Sequence, residues 1–394
     1  MSNRHLVTRF MLTTAVLLAG GRGTRLRPFT LHRPKPMMPI ANRPVMDYVL
    51  EILESSRVVE EVLVLLDYMG ESVDEYLKER GSTLEVRSLK FKSLDTADAV
   101  RRARNHIEGD FLVMMCDIIT NCDLESLCRY HESKRGLATI ALRDVDRPHH
   151  YGLAIVDPDD RIVSFMEKPM AYELYVASVM MSWRRAKYLH ANLANMGIYA
   201  FSYDVLDILD DNPYLLDFGR HVFPYLAESG YPIYGWYAGG CYWIDVGVPD
   251  AYLQANFDVV DGLAAPLRPR GVGAEGLWLG EGVDVRGLLK SPAALGDDVL
   301  IERRAVVGPY AILGNGVRVK EGAEVYESVV LNNAVIGRGS IVKGSVVGEG
   351  SVVEEGAYVV RALIEDGAKV VRGTHITGVA YTKKVAAKAV VPIE

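Results

Sequence analysis

The strongest constraint on this chain is a short, fixed spacing of apolar residues in its last third. Leu295, Ile301, Val307, Leu313, Val319 and Val325 recur every six residues. The register then shortens into three triplets: Val330, Ile336 and Val342; Val347, Val353 and Val359; Ile364, Val370 and Ile376. The first members of these triplets stand seventeen residues apart. A β-sandwich does not hold so short a period. The spacing marks a solenoid in which each step supplies one short strand with its apolar side chain inward, and three steps close one coil. Gly296, Gly308, Gly314, Gly337 and Gly348 directly follow members of the series. They are expected at the corners, where positive φ is often needed.

Upstream, strand-like and helix-like runs alternate. Thr14–Ala19, Glu61–Asp67 and Phe111–Met115 read as strands, and Pro44–Ser55, Glu71–Arg80 and Thr96–His106 as helices. This alternation predicts an α/β domain with a mostly parallel central sheet. The expected organisation is an α/β domain over 1–258, a Gly-, Pro- and Ala-rich linker with a first coil over 259–290, the solenoid over 291–378, and a tail or capping helix over 379–394. The segment Met170–Leu193 is expected to be an insertion, acting as a lid or an interface. Arg4 and Arg9 precede an apolar run resembling a signal peptide, but no A-x-A-like cleavage site follows. The run reads instead as a strand entering a glycine loop. No apolar run approaches the length of a membrane span. Cys116, Cys122, Cys128 and Cys241 suit neither a zinc site nor a disulfide framework in a chain of 394 residues. A reducing, cytoplasmic compartment is expected. A net charge of −7 argues against a nucleic-acid-binding surface.

The glycine loop carries the main chemical signal: Leu18-Ala19-Gly20-Gly21-Arg22-Gly23-Thr24-Arg25, with Lys35-Pro36 beyond it. Glycines directly after a strand let backbone N–H groups approach a phosphate closely. Thr24 adds a hydroxyl donor, and Arg25 and Lys35 add cations. A plain turn with solvated arginines is the alternative. The spacing fits neither a P-loop nor a dinucleotide fingerprint. Asp117 ends one apolar strand, and Asp245 interrupts the apolar run Tyr242–Gly247. Two such carboxylates together with triphosphate oxygens suit Mg²⁺, which prefers hard oxygen ligands. Taken singly, each also reads as an acid at a strand end or turn.

The run GGRGTRLRPFT with KPMMPI resembles the signature of the sugar-nucleotide pyrophosphorylase family, departing by Phe29. The resemblance implies a Rossmann-like nucleotidyltransferase domain. With the repeats, it implies a following left-handed parallel β-helix of the hexapeptide-repeat type. It implies that Leu18, Ala19, Gly20, Gly21, Gly23, Thr24 and Arg25 hold a nucleoside triphosphate, that Arg25 assists pyrophosphate departure, and that Lys35 contacts phosphates at the reacting centre. Asp117 and Asp245 resemble the family's Mg²⁺ ligands, although Cys116 stands where the pattern has glycine. Gly152, Glu167, Lys168 and Asn195 resemble its sugar-1-phosphate pocket. Asp95 and Thr96 fall where the family pattern G-T-A meets the nucleotide. Asp95 then either reads guanine or caps the following helix.

The look is nearest to mannose-1-phosphate guanylyltransferases, with glucose-1-phosphate thymidylyl- or uridylyltransferases close behind and a weakly active regulatory subunit as a further alternative. No nucleic-acid or membrane partner is expected. The solenoid is expected to mediate homo-oligomerisation. A second activity there, acyl transfer, would want a histidine, and only His375 is on offer.

Overall fold

The computed structural model describes Leu12, residues 14–173, Tyr175, 193–274, 276–378, 380–381 and 384–385. The expected insertion at 170–193 and the expected tail at 379–394 lie largely outside the described residues. Two compact units are formed, and they do not follow the order of the chain. The first comprises Met1–Gly21, Leu50–Ile118 and Cys122–Trp243; the second comprises Arg22–Val49, Ile119–Asn121 and Ile244–Glu394.

The first unit is built on a nine-stranded sheet. Its strands are β1 (Thr14–Leu18), β2 (Glu61–Leu66), β3 (Glu85–Lys90), β4 (Phe111–Met115), β5 (Ala138–Asp144), β6 (Gly152–Val156), β7 (Ile162–Glu167), β8 (Leu193–Phe201) and β9 (Ile233–Tyr237). The order is β7-β6-β8-β4-β1-β2-β3, with β5 pairing to both β8 and β9. Strands β4, β1, β2 and β3 are parallel, as the alternation predicts. Beyond β4 the sheet turns antiparallel, through β8 to β5, β6 and β7, so the sheet as a whole is mixed. The central strands are near-continuous apolar runs, buried along almost their whole length, as strands covered on both faces are. Val16, Leu63 and Val113 are fully buried, and Phe201, Phe218 and Phe223 stack into one aromatic cluster that Tyr199 meets edge-on. Among the described residues no helix is long and apolar enough to cross a membrane.

In the second unit the chain visits three parallel sheets in turn. Leu295 pairs in register with Leu313, Leu313 with Val330, Val330 with Val347, and Val347 with Ile364. All fifteen residues of the periodic series are buried in one continuous core. Each contributes roughly 1.5–3 kcal/mol of apolar burial. A second column, including Val299, Ala305, Ala323, Ala334 and Ala357, fills the space beside them. Parallel strand pairing begins at Leu277, before residue 291, and continues through Val385, past residue 378.

The glycines that follow the core positions differ from expectation. Gly308 has positive φ, at 89°, but Gly296, Gly314, Gly337 and Gly348 do not. Their reason is close approach between coils: a Cβ on Gly296 would stand 2.4 Å from Asn315 Oδ1, and one on Gly314 2.5 Å from Asn332 Oδ1.

Candidate active site

The first unit has a crevice edge of its own. Strand β1 lies between β2 and β4, parallel to both, with Leu18 level with Leu65 and Met115. Three neighbouring strand ends therefore deliver Ala19-Gly20, Asp67 and Cys116-Asp117 side by side, where open α/β sheets place ligands. A Cβ on Gly20 would press within 3.1 Å of Asp67 Cβ. Glycine is what lets the chain turn there. Asp67 was not singled out from the sequence, although it follows an apolar run just as Asp117 does. Cys116 is fully buried, and burial, followed by the charge of Asp117, pushes its thiol well above the ordinary range. It is an inert core side chain and adds nothing to the solvent face of the crevice.

Asp95 caps the helix α1 (Thr96–Arg102), its Oδ1 accepting from Thr96 N at 2.9 Å. The Thr96 hydroxyl donates to Asp217 Oδ2 at 2.9 Å and accepts from Phe218 N at 3.0 Å. Burial, then the charge of Asp217, raises the Asp95 carboxyl above its usual range. The helix-cap reading of Asp95 is therefore present in the geometry, and Asp217 is an unforeseen member of the same cluster.

Gly152, Glu167 and Lys168 come together on the β6–β7 hairpin, where Gly152 pairs with Glu167. A Cβ on Gly152 or on Gly219 would fall 2.6 Å from Glu167 Oε2. Both glycines make room for this carboxylate. Lys168 Nζ pairs with Glu167 Oε1 at 2.9 Å. Lys168 has φ of 48°, unusual for a side-chain-bearing residue, and its N–H donates to Tyr151 O at 3.1 Å. Asn195 lies on β8, whose register beside β6 runs toward Gly152. Its Oδ1 accepts from Gly197 N and its Nδ2 donates to the Tyr199 hydroxyl, both at 2.9 Å. Trp243 braces this turn by donating from Nε1 to Met196 O at 2.8 Å.

The second unit has a cluster of charged residues of its own. Gly23 takes the left-handed conformation, with φ of 59°, and its carbonyl accepts from Leu26 N and the Thr30 hydroxyl. Short 3₁₀ turns at Thr24–Leu26, Phe29–Leu31 and Lys35–Met37 follow. Lys35 is buried, with Nζ 3.7 Å from Asp245 Oδ1. A Cβ on Gly247 would stand 3.0 Å both from Arg25 Nη2 and from Asp245 Oδ1. Arg25, Lys35 and Asp245 therefore form one cluster, and Gly247 is the glycine that leaves them space. In the sequence Asp245 and Gly247 form a W-x-D-x-G pattern, Trp243-Ile244-Asp245-Val246-Gly247, inside the apolar run that Asp245 interrupts.

Among the described residues no group of three or more His, Cys, Asp or Glu side chains gathers to hold a metal. Mg²⁺ does not require such a cage, since it usually keeps waters and substrate phosphates and takes one or two carboxylates. Asp117 and Asp245 have the right donor chemistry for it.

Residues 14–262 match the family model described as Nucleotidyl transferase. The chain belongs to the nucleotidyl transferase family. It is thus a member of an enzyme family, and residues 289–391 of this nucleotidyl transferase also match the GMPPB C-terminal domain model. The nucleotidyl transferase is 30% identical over 339 residues to the probable mannose-1-phosphate guanylyltransferase 1 of Oryza sativa subsp. japonica, covering 84% of this chain and 82% of the relative. It is 28% identical over 355 residues to a UTP–glucose-1-phosphate uridylyltransferase of Synechocystis sp., covering 83% and 84%. It is 27% identical over 360 residues to the bifunctional protein GlmU of Methanocaldococcus jannaschii, covering 83% and 76%.

Proposed function

We propose that this chain is a sugar-1-phosphate nucleotidylyltransferase whose substrates are GTP and mannose 1-phosphate, forming GDP-mannose and pyrophosphate. The observation that carries the reading is the cluster of Arg25, Lys35 and Asp245 around the glycine of W-x-D-x-G. Two cations beside one carboxylate, on the loop that continues from the glycine turn, suit a Mg²⁺-bound triphosphate. The choice of GTP and mannose 1-phosphate is supported by the name and breadth of match of the rice relative.

The backbone from Leu18 to Gly23 and the Thr24 hydroxyl cradle the triphosphate. Asp117 and Asp245 would serve as Mg²⁺ ligands, and the ion would supply charge neutralisation when bound. Lys168 binds the phosphate of the sugar, while Glu167 and Asn195 hydrogen-bond its hydroxyls beside Gly152. A non-bridging oxygen of the sugar phosphate attacks the α-phosphorus in line. The bond from the α-phosphorus to the α,β-bridging oxygen breaks, and pyrophosphate leaves with the electron pair. The acceptor is already an anion, so no proton must be removed from it. Arg25 and Lys35 balance the growing charge, and catalysis rests on positioning and electrostatics. The reading extends to self-association through the solenoid faces and to a cytoplasmic setting.

The test is pyrophosphate release over a matrix of GTP, UTP, dTTP, ATP and CTP against mannose, glucose and N-acetylglucosamine 1-phosphates. GTP with mannose 1-phosphate is expected to exceed every other pair in kcat/KM by about tenfold or more. Preference for UTP or dTTP with glucose 1-phosphate would reassign the substrates. No turnover with any pair would leave a regulatory subunit. Asp95→Gly is expected to narrow the GTP preference by roughly tenfold, because a carboxylate reading the base edge is lost. Its loss as a cap alone costs only a few tenths of a kcal/mol. An unchanged preference would leave Asp95 with the cap alone.

A further inference from the structure

One edge of the solenoid carries a ladder of side-chain oxygens, each accepting from a backbone N–H of the preceding coil. Asp297 Oδ1 accepts from Glu281 N at 3.0 Å, Asn315 Oδ1 from Asp297 N at 2.9 Å, and Asn332 Oδ1 from Asn315 N at 2.9 Å. After one missing rung, Asp366 Oδ1 accepts from Glu349 N at 2.8 Å. The missing rung is at Glu349. The sequence records the same break. Gly280, Gly296, Gly314 and Gly348 make room for Asp297, Asn315, Asn332 and Asp366, whose oxygens a Cβ would meet at 2.4–2.7 Å. The residue that would have to make room for Glu349 in the same way stands directly before Asn332, and it is Leu331, not glycine. The Glu349 side chain has left the ladder and pairs with Arg33 Nη2. Asp366 braces this arrangement, with Oδ2 3.9 Å from Arg33 Nη2.

Arg33 stands two residues before Lys35, and prolines flank that lysine on both sides. Pro34 has φ of −69° and ψ of 150°, an extended link with little slack. Past Lys35, the same segment is fastened again: Tyr252 OH donates to Pro39 O at 2.7 Å, Ala41 N to Asn256 Oδ1 at 2.8 Å, and Asn42 Nδ2 to Leu313 O at 3.0 Å. Between the two fastenings, a cleft of about 170 Å³ is lined by Arg33, Asn42, Leu331, Asn332 and Glu349. Arg33 Nη1 is buried with no hydrogen-bond partner among the described residues, so the guanidinium depends on its carboxylate partners to stay in place.

We propose that Glu349, acting through Arg33, is a positioning residue for Lys35, so that the missing fourth rung of the ladder serves nucleotidyl transfer and not coil stability. The proposal rests on the reading of Lys35 as the cation at the reacting phosphates. Displacing such a group by about 1 Å can cost on the order of a hundredfold in rate. Substrate binding, shared among many other groups, changes much less.

The experiment measures kcat, KM for both substrates and Tm for Glu349→Gln, Arg33→Gln and the double variant. Lys35→Met and Glu327→Gln, an exposed solenoid carboxylate, serve as references. Glu349→Gln is expected to lower kcat by roughly ten- to a hundredfold, with both KM values and Tm near those of the parent and Glu327→Gln unaffected. The double variant should be no slower than the slower single variant, because both remove one linkage. Parent-like kcat in Glu349→Gln, while Lys35→Met is inactive, overturns the proposal. So does a loss of kcat that merely follows a loss of folded protein. Parent-like turnover in Lys35→Met itself would instead remove the reading on which the proposal stands.

Discussion

Asp117→Asn is expected to lower kcat by about a thousandfold, a loss typical when a group stabilising developing charge is removed. The substitution keeps size and hydrogen-bonding capacity but removes the negative charge that a divalent cation needs. Asp117 follows the buried strand β4 and is not within it, so the core is untouched. Tm should therefore stay within about 2 °C of the parent. Pyrophosphate release under saturating concentrations of the proposed substrates measures the rate, and thermal unfolding measures the fold. Turnover within tenfold of the parent would remove Asp117 from the proposed metal site.

Lys35→Met is the second large effect. Lys35 is buried against Asp245, and methionine preserves the volume of its stem while deleting the ammonium. A cation aimed at charge that grows during reaction contributes more to the transition state than to the ground state. The expected result is a fall in kcat of about a hundred- to a thousandfold, with a smaller change in KM for the sugar phosphate. The variant also leaves Asp245 without its 3.7 Å partner, which costs stability. Lys35→Met/Asp245→Asn should recover much of that stability and none of the rate. Recovery of rate would mean that Lys35 serves the fold alone.

The solenoid was legible because its core positions repeat within one short period, and every member of the series faces inward. The parallel half of the sheet was legible for a similar reason: buried strands leave long apolar runs. The antiparallel half was not, because pairing between β8 and its three neighbours depends on contacts remote in sequence. The glycine turn and the W-x-D-x-G pattern were local enough to identify. Asp67 and Asp217 were not, since a single acid beyond a strand says nothing of what it meets. Cys116 departs from a glycine pattern, yet its side chain enters the core, which spacing does not reveal. Nor did spacing reveal that Arg33 and Glu349 meet across 316 residues.

The residues from Arg22 to Val49 belong to the same compact body as the coils, although they are encoded near the start of the chain. This fixes where the molecule can be cut. A fragment ending at residue 258 would keep the signature loop but discard the surfaces on which Arg33 and Asn42 rest. Chimaeras that graft solenoids between relatives must therefore transplant this early segment as well, for heredity of the coil and heredity of the loop are physically one trait.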